Sequence, residues 1–95
     1  MIVYNVTYSV DKEISEDWIS WMKDRHVPNV LKKGLFADCR IFKVVTHEDE
    51  RTFSYAVQYH SKSLKSVDDY IALGDDIQQR YGDKAISFPT LLQEV

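Results

Sequence analysis

His26 has the side chain best suited to chemistry in this chain. Near neutral pH an imidazole can take or give a proton, and a helix C-terminus stabilises its cation. Arg25 precedes it and Pro28 stands two places on, so two cationic side chains meet where a helix must kink. On this reading His26 is a catalytic or ligand-binding residue beside a pocket. Arg25 would hold a substrate carboxylate, and Trp18 and Trp21 would form the apolar wall. Each residue also has a plainer role open to it. His26 could cap carbonyls freed by Pro28, Arg25 could pair with an internal acid, and Trp on a helical stripe is most often core.

A second polar group is Asn5, Gln58 and His60, all on strand positions that alternate with aromatic residues. They could orient a polar ligand or hold an oxyanion. They could equally hydrogen-bond across a seam between two copies. His26, His47, His60 and Cys39 show no metal-ligand spacing, and neither metal nor cofactor is expected. The single Cys excludes an internal disulfide.

Periodicity gives the strands and helices that carry these residues. Met1 to Val10 alternates, with Ile2, Tyr4, Val6, Tyr8 and Val10 on one face. Ser15 to Leu35 carries a helical stripe. At about 100° per residue, Ile14, Trp18, Trp21 and Met22 share one side, with Arg25 inside the stripe and His26 at its edge. Ser15 reads as the N-cap, and Pro28 should kink or break the helix at Arg25 to Val27. Phe36 to Thr46 is a strand with apolar groups on both faces, His47 to Glu50 a polar turn, and Arg51 to His60 a third strand. Ser66 to Tyr81 reads as one helix ended by Gly82. Lys84 to Glu94 is the last strand, with Ile86, Phe88 and Leu92 on one face.

The order βαββαβ makes a single α+β domain, a ferredoxin-like plait with an antiparallel sheet ordered 4-1-3-2. Pro89 suits an edge strand. Two helices cover the aromatic sheet face. The other face mixes Asn5, Thr7, Ser54, Gln58 and His60 with apolar groups, and each unpaired buried amide there would cost about 1–3 kcal/mol. A homodimer closing on a partly polar cavity answers both demands. Ninety-five residues bury only a modest core, which also favours a dimer.

Net charge is −3 and no Lys/Arg run exceeds two residues, so no nucleic-acid partner is expected. Strand residues begin at Ile2 and no apolar run reaches membrane-spanning length, so the expectation is a cytoplasmic protein without a signal peptide. Arg51-Thr52-Phe53-Ser54-Tyr55 resembles the start of an RNA-recognition motif, but its aromatics are needed for the core.

Trp18-x-x-Trp21-Met22-x-x-x-His26-Val27-Pro28 resembles the helix motif of the EthD-like proteins: an aromatic, two large residues three and four places on, then His-x-Pro. These belong to the dimeric α+β barrels. Over nearly the whole chain, Ile2-Val3-Tyr4-Asn5-Val6, Gly34-Leu35-Phe36, Ser54-Tyr55-x-Val57-Gln58-Tyr59 and Gly82-Asp83-Lys84 resemble a bacterial family, a domain of unknown function numbered 4286. The resemblance implies the barrel fold and no reaction. Members of the superfamily that act as cofactor-independent oxygenases or cyclases use cavity His, Tyr, Asn and Trp. Its haem-degrading members carry an Asn matched by Asn5, but also a His on the second helix that this chain lacks. The function expected is therefore a small organic ligand bound in a cavity between sheet and helices, with or without turnover. The alternative is a non-catalytic dimeric interaction module.

Overall fold

A computed structural model describes residues 1–46 and 49–95. The predicted turn at His47 to Glu50 falls partly outside them; Asp49 lies inside, where its carboxylate accepts from the Arg51 amide. Four strands, β1 (Ile2–Asp11), β2 (Asp38–Lys43), β3 (Thr52–Ser61) and β4 (Ala85–Gln93), form one antiparallel sheet in the order β2-β3-β1-β4. This is the predicted α+β plait, with Pro89 on an edge strand as expected. Alternation on the two central strands sends Tyr4, Val6, Tyr8 and Val10, with Tyr55, Val57 and Tyr59, into one buried layer under the helices.

The first helical arm does not break at Pro28. It runs through α1 (Ser15–Trp21), a π turn (Met22–His26) and α2 (Val27–Lys32). Proline lacks an N–H and its ring crowds the carbonyl four residues back. Widening the preceding turn, so that the Val27 amide donates to the Met22 carbonyl, makes room for it. A π turn advances less around the axis per residue than an α turn. A regular 100° step therefore misplaces the residues beyond Met22: His26 moves from the stripe's edge to its centre, and Arg25 moves out to solvent. Trp18, Met22, His26 and Val30 are all buried, on one line. Ser15 is not the N-cap either. Ile14 holds that position after a short 3₁₀ turn, and the Ser15 hydroxyl donates to the Lys12 carbonyl.

The second helical arm is two helices, α3 (Leu64–Ala72) and α4 (Asp76–Tyr81), in place of the predicted single helix. Gly74 separates them at φ 89°, a left-handed conformation that glycine adopts without strain. Ser63 caps α3 by accepting from the Ser66 amide, and Asp75 caps α4 by accepting from the Gln78 amide. Tyr81 then pins α4 to α1 through a 2.7 Å hydrogen bond to Asp17. The break turns Asp76 back toward the first arm.

Among the described residues, no helix covers the sheet's other face. Across it the register sets Arg40, Gln58, Asn5 and Thr90 in one row and Phe42, Ala56, Thr7 and Phe88 in the next. Phe42 and Phe88 keep 47% and 61% of their surface in water, and Ile86 and Leu92 are exposed beside them. No helix among the described residues is long and apolar enough to cross a membrane.

Candidate functional site

His26 sits at the centre of a polar cluster inside the aromatic layer. It retains 3% of its surface. Its Nδ1 lies 2.9 Å from one oxygen of Asp76 and 3.2 Å from the other. Its Nε2 is 3.0 Å from the hydroxyls of both Tyr59 and Tyr70, which stand 3.3 Å apart. A carboxylate only accepts, so Nδ1 carries the proton that faces Asp76; in the neutral ring Nε2 then accepts from a phenol. With one lone pair there, one tyrosine donates to the ring while the other bonds to its neighbour or to a ligand. His26 therefore caps no helix carbonyl; both ring nitrogens are held by side chains.

Burial sets the character of the phenols. Tyr59, fully buried, is pushed well above the usual tyrosine value chiefly by desolvation. Tyr70 is also raised, by burial first; its bond to Tyr59 lowers it in part, and the nearby Asp76, Tyr4 and Asp75 add to the rise. Both are neutral hydrogen-bond donors at physiological pH, and neither is a phenolate base. Cys39 is no thiolate nucleophile: burial, then Asp38, push its thiol up to about 12.

The cluster opens on a cleft of about 450 Å³ between α2 and the α3–α4 link. His26, Asn29, Lys32 and Lys33 line it from the first arm, Tyr70 and Asp76 from the second. A neighbouring cleft of about 360 Å³ lies between that link and β4, where Tyr4, Tyr8 and Tyr70 meet Ser87 and Pro89. Both volumes fall in or near the small-molecule range of about 300–1,000 Å³. Among the described residues, no group of three or more His, Cys, Asp or Glu is placed to hold a metal.

The family model for a domain of unknown function, DUF4286, matches residues 1–95. The chain belongs to the DUF4286 family. No curated protein matches it.

In this DUF4286 domain the predicted site residues divide into three places. Trp18 is core, stacked on Tyr55 at 5.1 Å and beside Tyr8, with its indole N–H unpaired. Trp21 is half-buried and packs on His26 at 5.5 Å, with the Arg80 guanidinium over its outer face. Arg25 is exposed and borders a shallow hollow with Asp17, Trp21 and Arg80, away from the His26 cleft. Asn5, Gln58 and His60 lie on the open sheet face, across the sheet from His26, so the two polar groups share no cavity. There Asn5 donates to Thr7 while its carbonyl oxygen is buried without a partner, and His60 approaches Asp38 at 3.4 Å.

The residues that complete the site, Asp76, Tyr59 and Tyr70, escape a reading by periodicity. The tyrosines read as core and are core, polar only at their tips. Asp76 is hidden by treating Ser66 to Tyr81 as one helix, yet Gly74-Asp75 is a helix stop followed by a helix start.

Proposed function

We propose that this DUF4286 domain is a homodimeric small-molecule-binding protein of the dimeric α+β barrel kind, with an EthD-like helix motif. The ligand occupies the cleft beside His26. The observation that carries the reading is the Asp76–His26–Tyr70 chain of hydrogen bonds ending at that cleft. A carboxylate orients the imidazole, the imidazole accepts the one O–H of the phenol, and the phenol oxygen is left to accept a hydrogen bond from the ligand. The same chain can move a proton without a cofactor, the chemistry a cofactor-independent enzyme would use. Native mass spectrometry of the protein as purified tests the reading. A bound small molecule is expected on the wild type and lost from Tyr70→Phe, which keeps the ring and removes the hydroxyl. An adduct that survives Tyr70→Phe unchanged would place the ligand elsewhere.

The dimer is supported by the open sheet face. Four exposed apolar side chains, Phe42, Ile86, Phe88 and Leu92, share it with the Asn5 and Gln58 amides. Covering such a patch stabilises association at roughly 25 cal/mol per Å² of apolar area. Light scattering at micromolar concentration should give twice the chain mass of 11.1 kDa for the wild type and the single mass for Phe42→Asp/Phe88→Asp. A wild-type monomer would remove the dimer from the reading.

The second reading is a dimeric interaction module without ligand or turnover. It is favoured by the internal satisfaction of both His26 nitrogens, which leaves Tyr70 as the group able to face a ligand.

A further inference from the structure

The His26 cleft has a charge pattern that differs from the rest of the chain. The chain carries a net −3. Yet Lys32 closes α2, Lys33 comes next, and both line the cleft with Asn29 one turn earlier. Lysines at a helix C-terminus have a plain job, offsetting the negative end of the helix dipole. That job needs no cleft, and it does not call for the polar groups that line this one. Among the described residues neither lysine lies within ion-pair distance of a carboxylate. The acid that shares the cleft, Asp76, is turned onto His26. Two cations, an amide and a neutral phenol therefore face a space whose acid is already engaged. Val30, Leu73 and the Tyr70 ring add an apolar wall.

We infer that the cleft takes a small organic acid. Its oxyanion, carboxylate or phosphate, is held by Lys32, Lys33 and Asn29. Its apolar body lies against Val30, Leu73 and the Tyr70 ring. An uncharged ligand would cover the lysines and give them nothing in return, whereas an oxyanion forms charge-assisted hydrogen bonds, roughly twice as strong as neutral ones. The inference rests on the cleft being the ligand site, as proposed above, and adds the class of ligand.

Protein-detected NMR on the full ¹⁵N-labelled chain tests it with three probes of one shape: benzoate, phenyl phosphate and benzamide. Benzoate or phenyl phosphate should shift the amides of Asn29, Lys32, Lys33 and Gly74 at millimolar concentration, and benzamide should bind about tenfold more weakly or less, the equivalent of about 1.4 kcal/mol. The order of the two anions tells carboxylate from phosphate. Lys32→Gln/Lys33→Gln, both exposed positions, should abolish the preference and leave the remaining spectrum in place. Benzamide binding as tightly as benzoate, or an unchanged preference in the double variant, would overturn the acid and leave the cleft as the ligand site. Silence of these amides toward all three probes would overturn both.

Discussion

Raising the pH above the ordinary tyrosine range should unfold this domain cooperatively. Tyr8, Tyr59 and Tyr70 are all held above the ordinary tyrosine value of about 10, each mainly because burial disfavours the phenolate. For an acid whose folded-state value is raised, the neutral form belongs to the fold. The stability it contributes is fully present below a pH of about 10 and is lost as the pH climbs from there toward the raised values. In that window the unfolded chain releases protons that the native state retains, and each such group costs about 1.4 kcal/mol per pH unit. Three together cost roughly 4 kcal/mol per unit. A domain of this length has a total stability on the order of 5–14 kcal/mol. Circular dichroism and tyrosinate absorbance, recorded together from neutral to strongly alkaline pH, should change in one transition, and Tyr8→Phe should make that transition less steep. Tyrosines that ionise one after another near the ordinary value, with the dichroism unchanged, would contradict the burial described.

The second large effect is expected at the polar cluster itself. His26→Leu removes the single Nε2 acceptor that the Tyr59 and Tyr70 hydroxyls share. Asp76 is half exposed and can turn to water, and Tyr70 reaches the cleft, but Tyr59 is fully buried. Its hydroxyl keeps only the 3.3 Å contact to Tyr70. Loss of the hydrogen bonds together with imperfect filling of the site should cost about 2–4 kcal/mol in chemical denaturation. Tyr59→Phe in the same chain removes the stranded hydroxyl and should recover part of that loss, a coupling of about 1–3 kcal/mol in a double-mutant cycle. Strictly additive losses would mean that the ring and the phenol do not depend on each other.

Strand order, the covered face and the edge position of Pro89 were legible because alternation with period two leaves little freedom on a sheet with one buried face. The open face was equally legible, since Asn5, Gln58 and His60 alternate out of step with the aromatics. The helical arms were harder. A fixed angle per residue cannot represent the π turn before Pro28, so Arg25 and His26 exchange places relative to expectation. His26 stays apart from Asn5 and Gln58 because a sheet has two faces and these groups belong to different ones. Asp76 reaches His26 across 50 positions of chain, and only the Gly74 break, a local signal with a distant result, brings it there.

The π turn at Met22–His26 also joins chain length to residue identity. A regular helix would bring a residue back to the Trp18 face after about seven places; here His26 returns after eight. The helix thus holds one residue more than its ladder needs, and the surplus gives the Pro28 ring its room. Lys23, Asp24 and Arg25 are exposed, so their side chains are open to exchange while their number is not. Spacing and proline work as one unit: a chain with the proline needs the longer interval, and a chain with the shorter interval has no place for the proline.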